Sequence, residues 1–227
     1  EDGMAKRTDP VRGMWRIDLH SHTYVSPDSK TQPRDLIERA RMVGLARLAV
    51  TDHNTIAGAL EAHALAPDLI IVGEEIEVDS GGEVIAYYVT EEVPRGLSIE
   101  ETLVRLRRQG AVISVSHPLD SLRGSALGLK RTLAIIDQVD ALEVFNARCL
   151  RAGDNRRAQA LARDHGKLMT AGSDAHTLGE VGAGYLILPP FKANAAALRA
   201  SLAKAEPGGR LTGLWPHVLS TWAKITK

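Results

Sequence analysis

Sulfur chemistry is nearly missing from this chain: it has one cysteine, Cys149, in 227 residues. A lone cysteine excludes an intrachain disulfide and a thiolate-rich zinc site. Nothing in its sequence surroundings argues for thiolate activation, so Cys149 reads as passive. Aromatic residues are scarce, at 4% against 44% hydrophobic residues. A core must therefore be built from Val, Ile, Leu and Ala. Neither sign of charge is in excess, since 28 Lys+Arg balance 28 Asp+Glu. Such a chain has no global field favouring extended duplex nucleic acid or acidic membrane. The cluster Arg105, Arg107, Arg108 reads as a solvated helix face. No apolar run approaches a membrane span, and Glu1 to Arg12 lacks the apolar stretch of a secretion signal. Met4 reads as a native start, with Glu1-Asp2-Gly3 a leftover lead-in. The expectation is a cytoplasmic protein with no membrane partner and no obligate protein partner.

What is present is an alternation of short β-branched runs and amphipathic stretches. Strands are read at Trp15–His20, Leu45–Thr51, Leu69–Val72 (running into Gly73–Glu77), Glu83–Val89, Ala111–Ser116, Ala141–Phe145, Leu168–Ala171 and Gly184–Leu188. Helices are read at Pro33–Val43, Ile56–Leu65, Ser98–Gln109, Leu127–Gln138, Asn155–His165 and Asn194–Ala203. Ser98 with Glu101 three residues on forms a capping box. Strands alternating with helices imply βαβ units and a mostly parallel α/β sheet, closed or nearly closed into one barrel. No Pro-, Gly- or Ser-rich linker divides the chain. Its domains read as an N-terminal tail (1–14), a barrel (15–206) and a C-terminal tail (207–227) that packs on the barrel, with Trp215 and Trp222 as a lid.

The chemistry-bearing residues gather at strand ends. The chain has eight histidines, and His20, His22, His53, His117 and His176 fall at the C-terminal ends of expected strands. In parallel α/β barrels that end carries the active site. Side chains at i and i+2 of a strand share a face, which aligns Asp18 with His20 and His22, and Asp174 with His176. Barrel closure would aim both groups at one cavity. Imidazole and carboxylate donors suit Zn, Mn or Fe, and carboxylate-bridged sites often hold more than one ion. Glu75 is a natural bridge, and Asp28 sits in a Ser-Pro-Asp turn able to fold over the site. Asp18 and Asp52 precede ligand histidines and read as groups that orient a ring by accepting its other N–H. His63, His165 and His217 read as structural or exposed. No Ser/His/Asp arrangement and no phosphate-cradling Gly-x-x-x-x-Gly-Lys loop competes.

The runs Asp18-Leu19-His20-Ser21-His22-Thr23, Thr51-Asp52-His53-Asn54, Gly73-Glu74-Glu75-Ile76, Ser116-His117-Pro118 and Gly172-Ser173-Asp174-Ala175-His176 resemble, in order, the motifs of the PHP (polymerase and histidinol phosphatase) family. Glu143–Arg148 looks like a stretch of its stand-alone members. The resemblance implies a distorted (β/α)7 barrel with two or three divalent metals, Mn, Zn or Fe. His20, His22, Glu75 and Asp174 would hold the first, Glu75 and His117 the second, and Asp28, His53 and His176 the third. Many members carry a further histidine on the strand after the Gly-x-Glu motif; here Ile85 stands where it is looked for.

The function that follows is a metal-dependent phosphoesterase. Its substrate would be a phosphate mono- or diester of a small metabolite or nucleotide, and phosphate or sulfate would fit the site. A bound divalent ion lowers the pKa of water towards roughly 7. Arg148 and Arg123, in loops after strands, are candidates for gripping phosphate. The alternatives are an exonuclease on short oligonucleotides and a non-catalytic, metal-stabilised interaction module. A C–N hydrolase of a related barrel is a further one.

Overall fold

The computed structural model describes residues 13–227, so residues 1–12 of the expected N-terminal tail lie outside the described residues. The elements are β1 (Trp15–Asp18), α1 (Pro33–Met42), β2 (Arg47–Val50), α2 (Ala57–Leu65), β3 (Ile70–Glu77), β4 (Glu83–Tyr87), α3 (Ile99–Arg108) and β5 (Val112–Val115). They continue as α4 (Gly128–Ile135), β6 (Ala141–Asn146), α5 (Ala152–Asp164), β7 (Leu168–Gly172), β8 (Gly184–Leu188), α6 (Ala195–Leu202), β9 (Glu206–Gly209) and α7 (Trp215–Thr226). Helix starts follow local chemistry. Pro33 opens α1, where a backbone N–H has no intrahelical use. Ser98 caps α3 by accepting the N–H of Glu101, and the helix then runs from acidic Glu100 and Glu101 to basic Arg105, Arg107 and Arg108, matching its dipole.

One sheet of nine strands runs in the order β7-β6-β5-β4-β3-β2-β1-β8-β9. Within it β1, β2 and β3 are parallel, as are β5, β6 and β7. The expected parallel rhythm breaks at β4, which is antiparallel to both β3 and β5. Gly81, at φ 76°, turns the chain straight back from β3 with no intervening helix. Strands β8 and β9 add antiparallel beyond β1. The ring nearly closes where the chain after β1 meets β7: the Leu19 N–H donates to the Ala171 carbonyl at 3.2 Å, and Ser21 bridges in parallel to Ala175. Gly172 permits this approach, because a Cβ there would collide with the Cβ and backbone nitrogen of His20. The result is a mixed α/β fold with a nearly closed, barrel-shaped sheet.

Alternation along the strands separates two packing layers. Ile17, Ile71, Ile85, Tyr87, Val112 and Leu186 fill the barrel, joined by Leu198 and Leu202 of α6. Arg199 of the same helix binds Asp140 and the Gly110 carbonyl, at the entry ends of β5 and β6, so α6 stops the bottom of the barrel. Ile76, Val84, Ile113 and Leu142 face outward and pack under Leu103 and Leu106 of α3. Only the opposite end of the barrel stays open, and there the parallel strands end and antiparallel β4 begins.

The tail departs from its expected form. Glu206–Gly209 pairs with β8 as β9, so the boundary expected at residue 207 falls inside a strand of the sheet. Helix α7 reaches the open end through His217, whose Nε2 meets the Arg148 carbonyl at 2.9 Å, and Ser220, which accepts from Arg148 Nη2 at 2.7 Å. The tryptophans do not form the lid expected of them: Trp215 and Trp222 are 68% and 59% exposed. The contact is made by the face of α7 that carries Pro216, His217, Ser220 and Ala223, and its hydrogen bonds to Arg148 come from His217 and Ser220.

Candidate metal centre

All eight residues singled out as metal ligands converge at the open end. His20 and His22 leave β1 with their Nε2 atoms 3.1 Å apart. Asp174, just past β7, places Oδ1 3.5 Å from His20 Nε2 and 3.3 Å from His22 Nε2. Glu75 enters from β3, with Oε2 at 3.3 Å from His20 Nε2, 3.5 Å from His22 Nε2 and 3.1 Å from His53 Nδ1. Its other oxygen, Oε1, lies 3.2 Å from His117 Nε2. Asp28 does fold over the site, with Oδ1 3.2 Å from His176 Nε2 and Oδ2 3.6 Å from His53 Nε2. Left-handed backbone at His117 (φ 29°), Asp174 (φ 54°) and Asn54 (φ 58°) aims these side chains inward. Such non-glycine conformations are strained and cluster at functional sites.

The hydrogen bonds that set the rings differ from those read in the sequence. Asp18 accepts no ring N–H; it takes the backbone N–H groups of His20, Ser173 and Gly182 at 3.2, 2.9 and 2.9 Å, and the Ser173 hydroxyl at 2.5 Å. Its work is to hold the β1 and β7 ends together, and burial lifts its carboxyl to about 6 against those bonds. The His20 ring turns instead to Glu143 on β6, whose Oε1 accepts from Nδ1 at 2.9 Å. Asp52 likewise acts at one remove. It accepts the Ser26 hydroxyl at 2.6 Å, and Ser26 Oγ in turn lies 3.2 Å from His22 Nδ1. Gly58 leaves room for this: a Cβ there would collide with Asp52 Oδ2 and Thr23 Oγ1. Glu143 and Ser26 thus engage Nδ1 of both rings and leave Nε2 facing the cluster. Glu143 was missed because it lies far in sequence from every histidine-bearing motif and meets His20 only through barrel closure.

The arginines are tied down. Arg148 is buried, with Nη1 2.5 Å from His176 Nδ1 and Nε 3.5 Å from Glu180 Oε1. Arg123 Nη1 donates to Asp174 Oδ2 at 2.6 Å, where Asn146 Nδ2 donates too at 3.1 Å. One oxygen of Asp174 is thereby held and the other is left facing His20 and His22. Arg123 and Arg148 still line the cavity, of about 630 Å³, together with Asp28, His53, Glu83 and Lys224. Glu83 was not foreseen as part of the site. Its Oε2 lies 3.3 Å from His117 Nε2 and its Oε1 3.7 Å from His53 Nδ1.

The centre favours positive charge. Burial opposes ionisation of Glu75, yet His20, His117 and His53 hold its carboxyl well below the usual range. Burial also opposes ionisation of Asp174, but Arg123 and His20 pull it down. Burial lowers His20 as well, but Asp174, Glu75 and Glu143 outweigh it and raise the imidazole. His22, buried beside His176 and His53, is lowered and stays neutral, as a ligand must. Glu75 Oε2, Asp28 Oδ1 and His117 Nδ1 are buried without a well-aligned hydrogen bond, although the two oxygens lie at ion-pair distance from imidazoles. Buried atoms without such a bond are costly, and a cation among the imidazoles and carboxylates would satisfy the two oxygens. The donor set fits divalent metal ions.

A nearly closed α/β barrel with a buried His/carboxylate cluster at its open end is the framework of a metal-binding protein. The chain belongs to the PHP family. Residues 152–207 match the family described as PHP-associated. An uncharacterised protein of Methanocaldococcus jannaschii is 36% identical over 174 residues, covering 75% of this chain and 69% of the relative. Among solved structures, a two-domain protein from Bacteroides vulgatus, described as containing a predicted PHP-like metal-dependent phosphoesterase, superposes with TM-score 0.73. That match has 17% identity and covers 90% of this chain and 68% of that one. The lesion-specific endonuclease PfuEndoQ of Pyrococcus furiosus superposes with TM-score 0.60 and 15% identity, over 86% of this chain and 59% of that one. Among the described residues no helix is long and apolar enough to cross a membrane.

Proposed function

We propose that the chain is a metal-dependent phosphoesterase that hydrolyses a phosphate mono- or diester of a small metabolite or nucleotide. The observation that carries this is Glu75: its buried Oε2 stands within 3.5 Å of ring nitrogens on His20, His22 and His53, so one oxygen serves three imidazoles. His20, His22, Glu75 and Asp174 would hold one divalent ion. Glu75 and His117 would hold a second, and Asp28, His53 and His176 a third. Ions so placed supply Lewis acidity towards phosphate oxygens and acidify bound water.

The protein's own groups do the rest. Glu143, and Ser26 backed by Asp52, keep Nε2 of His20 and His22 directed at the cluster. Asn146 and Arg123 fix the outer oxygen of Asp174. Arg148 and Arg123 line the cavity with positive charge close to where a phosphoryl group would sit, and such preset charge stabilises charge that grows in the transition state. The cavity falls within the range usual for small-molecule sites, roughly 300–1,000 Å³. The balanced charge of the chain supports a small substrate over a long duplex.

Turnover of p-nitrophenyl phosphate and bis-p-nitrophenyl phosphate, with Mn, Zn or Fe(II) supplied to metal-stripped protein, tests the reading. Metal-dependent release of nitrophenol is the expected result. If neither ester is turned over and a panel of nucleotides and short oligonucleotides also stays intact, the phosphoesterase reading is wrong. Cleavage of the oligonucleotides alone would make the protein a nuclease.

A further inference from the structure

We propose that Glu83 is a metal ligand of the His117 position, standing in for the histidine that the sequence lacks at Ile85. This deepens the phosphoesterase reading and rests on it. The reason lies in strand direction. Residues 83, 85 and 87 of β4 share one face, and Ile85 and Tyr87 of that face are packed inside the barrel. Because β4 is antiparallel to β3 and β5, its first residue is nearest the open end. In the β3–β4 register Ile85 lies opposite Glu75, and Glu83 opposite Glu77, one pleat nearer the mouth. The donor on this strand is moved outward by one pleat and its chemistry changes from imidazole to carboxylate.

The surroundings of Glu83 turn it towards the cluster. It is 7% exposed, and its two close ionic contacts are the rings of His117 at 3.3 Å and His53 at 3.7 Å. No lysine or arginine pairs with it among the described residues. A carboxylate buried this far is costly unless a cation compensates it. Glu75 Oε1, Glu83 Oε2 and His117 Nε2 then form a set of two carboxylate oxygens and one imidazole. Oxygen-rich sets of this kind favour manganese-like ions over zinc, which accepts nitrogen more readily. The Glu75 oxygen shared among the rings of His20, His22 and His53 is a separate observation that donors crowd this cluster.

Titrating metal-stripped protein with Mn²⁺ alone, and reading free Mn²⁺ by electron paramagnetic resonance, tests this without any substrate. Glu83→Gln should bind one Mn²⁺ fewer than the wild type over the range that fills the wild type, or bind it about 10- to 100-fold more weakly. Glu83→His should restore the lost stoichiometry and shift preference towards Zn²⁺, which also shows that the strand tolerates substitution. If Glu83→Gln matches the wild type in stoichiometry and affinity, the assignment is overturned while the phosphoesterase reading stands. If the wild type takes up no stoichiometric Mn²⁺ or Zn²⁺, both fall together.

Discussion

Glu143 Oε1 accepts the Nδ1–H of His20 at 2.9 Å, in a place where neither side chain reaches solvent. The same carboxylate takes the backbone N–H of His117 on Oε2 at 2.8 Å. One residue of β6 therefore sets a ring from β1 and a backbone turn after β5. Glu143→Ala should weaken metal binding by about 10- to 100-fold, as loss of such outer partners commonly does. Glu143→Gln keeps an acceptor and should lose less. Calorimetric titration with Zn²⁺ measures both, and equal affinity in Glu143→Ala would remove the orienting role.

Arg123 and Asp174 form the shortest ion pair at the mouth among the described residues, at 2.6 Å. Removing the arginine leaves Asp174 Oδ2 with Asn146 alone. Arg123→Ala should destabilise the metal-stripped protein by about 1–3 kcal/mol, below the figure for a fully buried pair because the arginine is 19% exposed. Added metal should recover part of the loss by occupying the site. Urea melts with and without metal give the comparison. An unchanged midpoint without metal would show that the pair contributes little.

Glu74 faces away from the barrel interior, accepting the Val93 N–H at 3.0 Å. Burial raises its carboxyl from 4.5 to about 8, with a small opposing effect from that bond. The folded chain thus holds a proton that the unfolded chain releases between pH 4.5 and 8. In that window the unfolded state binds fewer protons, so this group's contribution to stability falls as pH rises. Glu74→Gln should therefore gain on the wild type as pH rises, by on the order of 4 kcal/mol at pH 8, and the gap should close towards pH 4.5. A gap independent of pH would contradict the buried neutral carboxyl.

Gly172 is the point where β7 meets the residue after the β1 end. Gly172→Ala should cost about 1–3 kcal/mol through overpacking, and should also lower metal affinity, because the clash falls on the Cβ and backbone of His20. Full metal affinity in a well-folded variant would show that the two strand ends can move apart without moving the ligand.

Much of the candidate centre was legible because its histidines and carboxylates fall at strand ends, and His-x-His, Gly-x-Glu and Asp-x-His carry that spacing openly. The helices and most strands followed from apolar period. What stayed hidden depends on pairing between distant segments. Glu143 meets His20 across 123 positions, and the resemblance noted for Glu143–Arg148 gave it no ring to hold. The place of Glu83 beside His117 and His53 is visible only once β4 is known to run antiparallel. Asp18 was given the wrong partner because adjacency in sequence suggested a ring, whereas Ser173 and Gly182 arrive from the far end of the chain. Strand β9 was missed because Glu206-Pro207-Gly208-Gly209 has no strand chemistry of its own, and close packing makes up for that: a side chain at Gly209 would collide with the Ala183 carbonyl and the Phe145 ring. The tryptophans of α7 were placed inward by hydrophobicity alone, although the hydrogen bonds of α7 to Arg148 come from His217 and Ser220.

The most direct test of the metal-centre account is an anomalous difference map from crystals equilibrated with Zn²⁺ and collected at the zinc edge. The account requires peaks at about 2.0–2.2 Å from Nε2 of His20 and His22 and from Glu75 and Asp174 oxygens, absent in crystals of His22→Ala. A map with no peak among these side chains, in crystals that take up zinc elsewhere, would contradict it.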